Sequence, residues 1–263
     1  MRIERRITFI IEDEGFATWK IKRLKTLSDF FRSVVILQNI TIGETTNTAH
    51  MLEILSIGCK RNDLCQLRIE GSDAELACMV LTDFIDEQFT IVNTSHKKNE
   101  NKSNSIIANH PTFYLPFNMN YSFDFIQIQT GIEKNDLILK LSQSFNSYSP
   151  EVVFDALLKR EAISSTGIGN GIAIPHVMVE GISQPAISVL CLDKKIDWET
   201  SLGQVKMIIA MLIPAPVSMD VMKAMTQATR ALIDPIKCDL LTTSVEPEAI
   251  KAILFHFMAS SKP

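Results

Sequence analysis

One stretch of this chain, NTSHKKNENKSNSIIANHP from Asn93 to Pro111, interrupts two regions of regular apolar spacing with a run of polar side chains. Such a break between patterned segments reads as a linker and forces any fold into two parts. A flexible segment of about 20 residues has a root-mean-square span of roughly 25 Å, so it lets two domains meet without fixing their orientation. The total of 263 residues agrees, because single domains usually run to about 100–200. The expected organisation is a first domain over residues 1–92, a linker over 93–117 and a second domain over 118–263.

Composition narrows the class of function. With 26 Lys and Arg against 30 Asp and Glu, the chain has no basic field to hold a nucleic-acid backbone, so nucleic acid is not an expected partner. Five cysteines stand far apart, at 59, 65, 78, 191 and 238, with no C-x-x-C pair. Neither a disulfide framework nor a zinc site is expected, and a reducing cytoplasm fits best. The longest apolar run, Met207 to Ile213, falls far short of the roughly 20 residues of a membrane helix. The start MRIERR is followed by too brief an apolar stretch for a signal peptide. A soluble intracellular protein without membrane insertion is expected.

In the first half, strand-like and helix-like patterns alternate. Arg6 to Ile11 is a β-rich run, and Lys20 to Phe31 carries Ile21, Leu24, Leu27 and Phe31 at helical spacing. Strands are expected at Ser33 to Leu37 and Ile40 to Ile42, then a short helix from His50 to Ile57 stopped by Gly58. A strand at Leu64 to Ile69 precedes a helix at Ala74 to Glu87, capped by Asp73, with Leu76, Val80, Leu81 and Phe84 on its apolar face. The order β-α-β-β-α-β-α predicts an α+β fold, an antiparallel sheet with helices on one face.

The second half predicts an α/β domain. Helices are expected at Lys134 to Ser144, from Ser149-Pro150-Glu151 onward, near Met219 to Ile233 and at Pro247 to Phe257. Strands at Ala186 to Leu192 and Val205 to Leu212 are apolar throughout, as in a sheet covered on both faces. The chemically informative segment runs from Ser164 to His176. Gly167, Gly169 and Gly171, with Asn170 between them, permit a tight backbone path whose N–H groups can face an anion, and Ile-Pro then delivers His176. This glycine pattern follows a helix and lacks the Lys-Ser/Thr of a phosphate-binding loop, so no nucleotide cofactor is expected.

Arg160-Glu161 followed by STGIGNGIAIPH closely resembles the active-site signature of the enzyme IIA domains of the bacterial phosphoenolpyruvate-dependent phosphotransferase system, fructose, mannitol and nitrogen-regulatory type. The resemblance covers roughly Phe123 to Met258 and implies a mixed sheet covered by helices. It implies that His176 takes a phosphoryl group from a phosphocarrier and that Arg160 helps hold it, with Gly167, Gly169, Asn170 and Gly171 at the phosphate. Imidazole nucleophilicity near neutrality and the guanidinium fork suit those roles. The chain departs from the pattern in three places: Val177 and Met178 stand where Gly and a basic residue are usual, and PVSMDVMKAMTQATRAL contains no second histidine. Lys223 lies close to that histidine's position, as either a phosphate contact or a solvated lysine.

The first half resembles the HPr phosphocarrier family from Arg5 to Phe89, in element order and in HMLEILSIGCKRNDLCQLRIEGSDAELA. Where that family has G-L-H-x-R-P-A, this chain reads Gly15, Phe16, Ala17, Thr18, Trp19, Lys20, Ile21. Nucleophile and arginine are both absent, so this domain is a degenerate module that cannot carry phosphate by the family route. His50, His96, His110 and His256 show no metal-ligand spacing, and no metal or cofactor is expected. Trp19 is either an exposed partner anchor or a core residue. The resemblance implies a separate HPr-type phosphocarrier as partner, and the tether allows an intramolecular contact between the two domains. The given sequence has no enzyme IIB or membrane segment, which favours a regulatory, nitrogen-regulatory-like role over sugar transport. Two readings stay open: a regulatory protein phosphorylated at His176, or a non-phosphorylated interaction or sensor module for phosphotransferase-system or regulatory partners.

Overall fold

The computed structural model describes residues 3–12, 15–97, 99–145, 148–244 and 246–259. Lys98 of the polar segment and residues 260–263 of the expected second domain lie outside that set. The chain forms two compact units, one of residues 1–114 with 244–263 and one of residues 115–243.

The first unit is built on an antiparallel sheet. Its elements are β1 (Ile3–Ile10), α1 (Thr18–Ser28), β2 (Val34–Asn39), β3 (Glu44–Asn47), α2 (Met51–Ile57), β4 (Leu64–Gly71), α3 (Ala74–Gln88) and β5 (Thr90–Thr94), with strand order β3-β2-β4-β1-β5. Period-two alternation sends Ile7 and Phe9 of β1 into one core with Ile21 and Leu24 of α1, Ile54 of α2 and Leu81 and Phe84 of α3. Each such fully buried side chain contributes about 1.5–3 kcal/mol. Arg6 and Thr8 alternate onto the opposite face, where Gln66 accepts from Arg6 at 2.8 Å and donates to Thr8 at 2.9 Å. Gly58 ends α2 in the left-handed conformation at φ 63°, as its freedom from a Cβ allows.

Three local expectations differ from the structure. The strand expected at Ile40 to Ile42 is a turn; Gly43 at φ 80° reverses the chain so that Asn39 pairs with Glu44 and the strand begins there. Asp73 sits at the start of α3, but its carboxylate accepts from the backbone N–H groups of Arg32 and Ser33 rather than capping the helix. The buried stripe of α3 runs through Ala74, Ala77, Cys78, Leu81, Phe84 and Ile85, leaving Leu76 outside.

The described residues of the polar segment form regular structure. It includes the end of β5, helix α4 (Glu100–Asn109), started by Asn99 accepting from the Lys102 N–H at 3.0 Å, and a 3-10 turn at Pro111–Phe113. Helix α9 (Pro247–Met258) packs against α4, β5 and that turn, so the C-terminal residues join the first unit although they follow the second in sequence. Asn93 donates to Glu246, and Lys251 donates to Asn104 at 2.6 Å.

The second unit holds β6 (Asn120–Ile126), α5 (Lys134–Ser144), α6 (Pro150–Ile163), β7 (Gly167–Gly169), β8 (Ile172–Ala173), β9 (His176–Glu180), β10 (Ala186–Ile196), β11 (Val205–Ala215), α7 (Met219–Ile233) and α8 (Pro235–Thr242). The sheet is mixed, as expected: β10 runs parallel to β6 and antiparallel to β11, while β8 and β9 both pair parallel with β11. Apolar residues of α5, α6, β10 and β11 close the core around Trp198, which is fully buried. Pro150 occupies the first turn of α6 as expected. Ser149 makes no capping bond and donates instead to Glu151 at 2.6 Å. Among the described residues no helix is long and apolar enough to cross a membrane.

Candidate functional site

The segment from Arg160 to His176 takes its shape from a buried polar cluster. Glu161, at the end of α6, accepts from the Thr166 N–H at 2.9 Å and from the Thr166 hydroxyl at 2.5 Å, and pairs with Lys134 at 3.1 Å. Trp198 Nε1 donates to the same Thr166 hydroxyl at 3.3 Å. Burial alone would raise the Glu161 pKa. The donors from Thr166 and Lys134 outweigh it and hold the carboxyl below its ordinary range. These contacts pin the chain as it leaves α6 and define the start of β7. Glu161 and Thr166 belong to the motif, but Lys134 and Trp198 had no signal in sequence beyond the rarity of tryptophan.

The glycine-rich stretch is a β-hairpin. Gly169 pairs with Ile172 across a two-residue turn, Asn170-Gly171, with φ of 53° and 81°. Positive φ at both central positions is the type I′ signature that favours Asn-Gly and matches strand twist. The hairpin tip is held from within the unit: Gly171 C=O accepts from Lys206 N–H at 2.8 Å and Met207 N–H at 3.0 Å, and Cys238 Sγ donates to Asn170 C=O at 3.7 Å. Burial pushes the Cys238 thiol up to about 11 and the Cys191 thiol up to about 12, so neither is a thiolate near neutrality.

The chain then delivers His176 as the first residue of β9. Its Nδ1 lies 2.9 Å from the Ile174 carbonyl oxygen. A carbonyl can only accept, so Nδ1 carries the proton and, in the neutral ring, Nε2 carries the lone pair. Alternation along β9 buries Val177 in the core and leaves His176 and Met178 on the other face, Met178 at 57% exposure. The register pairs His176 with Met211 and Met178 with Ile213 of β11. Opposite these rungs stands α7, capped by Ser218 accepting from the Val221 N–H at 3.3 Å. Its residues 222, 225, 226, 229 and 230 share one face by helical spacing. Strand rungs and helix face line an open cavity of about 280 Å³, completed by Val217.

Not every predicted site residue meets at this cavity. His176 lines it, whereas Arg160, Gly167, Gly169, Asn170, Gly171 and Lys223 do not. Arg160 sits in the last turn of α6, which packs against β9, and its Nη1 donates to the Ser164 carbonyl at 2.9 Å. The residues that sequence reasoning missed are Met222, Met225, Thr226 and Arg230. Their i, i+3, i+4 spacing was legible as a helix face, but nothing local said that this face looks at His176.

In the first unit Trp19 is 59% exposed, so the core alternative does not hold. Lys20, beside it, is buried with its ammonium 4.6 Å from the Phe89 ring centre. His50 lies 3.1 Å from Glu53, and His256 Nε2 is 3.0 Å from the Thr41 hydroxyl. Among the described residues no three His, Cys, Asp or Glu side chains converge as a metal site.

Comparison with known proteins bears on this site. The family model described as phosphoenolpyruvate-dependent sugar phosphotransferase system, EIIA 2, matches residues 123–256. The nitrogen regulatory protein of Escherichia coli K12 is 33% identical over 121 residues, which is 45% of this chain and 74% of that protein. The multiphosphoryl transfer protein of Shigella flexneri is 31% identical over 96 residues, 36% of this chain but 12% of that protein. The crystal structure of nitrogen regulatory protein IIA-Ntr from Neisseria meningitidis aligns with a TM-score of 0.46 at 22% identity, over 51% of this chain and 92% of that one.

Proposed function

The chain belongs to the EIIA 2 family of the phosphoenolpyruvate-dependent sugar phosphotransferase system, and from that membership we propose that it is a regulatory phosphotransferase protein whose His176 Nε2 accepts a phosphoryl group from a separate HPr-type carrier. The observation that carries the proposal is the anchored ring: Nδ1–H is committed to Ile174 C=O at 2.9 Å, and Nε2 is left with the lone pair. In the transfer that lone pair forms a bond to phosphorus as the carrier's nitrogen–phosphorus bond breaks, and the electron pair of the broken bond stays on the carrier. The proton on Nδ1 remains at the carbonyl. Little covalent work falls to other side chains, so the protein contributes position and charge. The identity of 33% to a nitrogen regulatory protein supports a regulatory role in place of sugar transport.

Arg160 is proposed to approach the phosphoryl oxygens from the end of α6. Its single bond to the Ser164 carbonyl is exposed and costs little to exchange. The first unit has Ala17 where a phosphocarrier of its type would need histidine, which supports a docking role and a phosphoryl source outside this chain.

The test is to incubate the purified chain with phosphoenolpyruvate, enzyme I and an HPr-type carrier, then locate acid-labile, base-stable phosphate by mass spectrometry. Label is expected on His176 and lost in His176→Ala. Arg160→Ala should slow labelling with the fold retained, because a helix-end charge whose one protein bond is exposed contributes little stability. Label that persists in His176→Ala refutes the assignment.

A further inference from the structure

We propose that Arg230, on α7, holds the phosphoryl group on His176 and supplies the positive charge inside the transfer cavity; this rests on the reading of His176 as the acceptor. Among the residues lining the cavity, His176 and Arg230 are the ionisable ones. Arg230 lies eight residues after Met222 and four after Thr226, so the 3.6-residue period turns all three toward the same side. Lys223, the basic residue on α7 singled out by sequence, lies two turns before Arg230 at the edge of the same face but does not line the cavity.

The state of the two arginines differs. Arg160 already donates to the Ser164 carbonyl and lies outside the cavity lining. Among the described residues Arg230 makes no hydrogen bond or ion pair, so its five N–H donors face no protein acceptor. The remaining lining is largely methionine, isoleucine and valine, which offer no competing acceptor to the guanidinium, and Arg230, Thr226 and His176 are all exposed, so an incoming phosphoryl group can reach them. Thr226 sits on the same row with its hydroxyl uncommitted among the described residues, whereas the Thr229 hydroxyl is spent on the Met225 carbonyl at 2.9 Å. Arg230 and Thr226 together can therefore donate to the phosphoryl oxygens while His176 Nε2 bonds phosphorus. Arg230 stays a guanidinium throughout and transfers no proton.

The bland account of Arg230 is a last-turn cation that complements the helix dipole. That account predicts a change in stability and none in transfer. The discriminating experiment uses the full chain and potassium phosphoramidate, a carrier-independent donor from which ammonia leaves as the phosphorus–Nε2 bond forms. Arg230→Gln is expected to raise the phosphoramidate concentration for half-maximal labelling of His176 about tenfold, the size of one lost charge-assisted bond. Thermal midpoint should be nearly unchanged. Arg230→Lys should recover part of the effect, since it restores charge without the fork. The inference is overturned if Arg230→Gln labels with the wild-type concentration dependence, whatever the effect of Arg160→Ala. Absence of phosphoramidate label on His176 of the wild type also overturns it. Should Arg230→Gln fail to fold, Arg230→Lys decides, because unaltered half-maximal labelling there rejects the fork. A wild-type chain labelled by phosphoramidate but never by the carrier mixture refutes the carrier-acceptor reading, while the Arg230 comparison still stands or falls on its own.

Discussion

Glu161 shows at the scale of one residue how a motif position works through burial. Its neighbour Arg160 is half-buried with an exposed, exchangeable bond to Ser164, whereas Glu161 is buried and accepts from Thr166 and Lys134. Burial opposes its ionisation, yet those donors leave the folded-state pKa below the ordinary 4.5. The ionised form therefore stabilises the fold: its contribution is complete above the unfolded pKa and is lost as pH falls through the lower, folded value. Urea titrations should show wild-type stability falling below pH about 4.5, with a shallower fall in Glu161→Gln. At pH 7 that variant should be weaker by about 1 kcal/mol, because Lys134 loses its buried partner but keeps Glu199 at 2.9 Å. Equal acid slopes would remove Glu161 from the stability of the second unit. His176 was legible in sequence because its surroundings are contiguous. Thr166 was legible for the same reason, but Lys134 and Trp198, which complete the cluster around Glu161, were not, because they come from segments 27 and 37 residues away.

Among the elements, the β7–β8 hairpin separates a backbone requirement from a chemical one. Its glycines read in sequence as a loop able to face an anion, and in the structure they make a type I′ turn outside the His176 cavity. Gly171→Ala, placed at φ 81°, should cost about 1 kcal/mol through left-handed strain. The thermal midpoint should drop while labelling of His176 continues at its former rate. Lost labelling with unchanged stability would instead bring the hairpin amides to the phosphate. Element boundaries followed local pattern best where caps were explicit, as at Gly58 and Pro150. They shifted where partners decided: β3 begins at Glu44 because it pairs with Asn39, and Leu76 of α3 is outside because Ala77 and Leu81 meet the sheet.

Across the whole molecule, the strongest departure from a linear reading is α9. All but its last two residues lie within the stretch matched by the EIIA 2 model, yet it packs against β5, α4 and the 3-10 turn of the first unit. Ile253, fully buried on α9, is the probe. Ile253→Ala should cost about 2–5 kcal/mol, and hydrogen exchange should speed up in β5 and α4 more than in β10 and β11. Faster exchange confined to β10 and β11 would show that the helix serves the second unit. The two patterned halves, the class of each sheet and the one histidine delivered by Ile-Pro are legible along the chain, because alternation, helical period and turn chemistry act between near neighbours. That a helix forms within the polar segment, that α9 returns to the first unit and that Arg230 shares a cavity with His176 emerge only on folding. Those outcomes depend on which buried surfaces meet across long separations, and side-chain period along one segment carries no information about its partner.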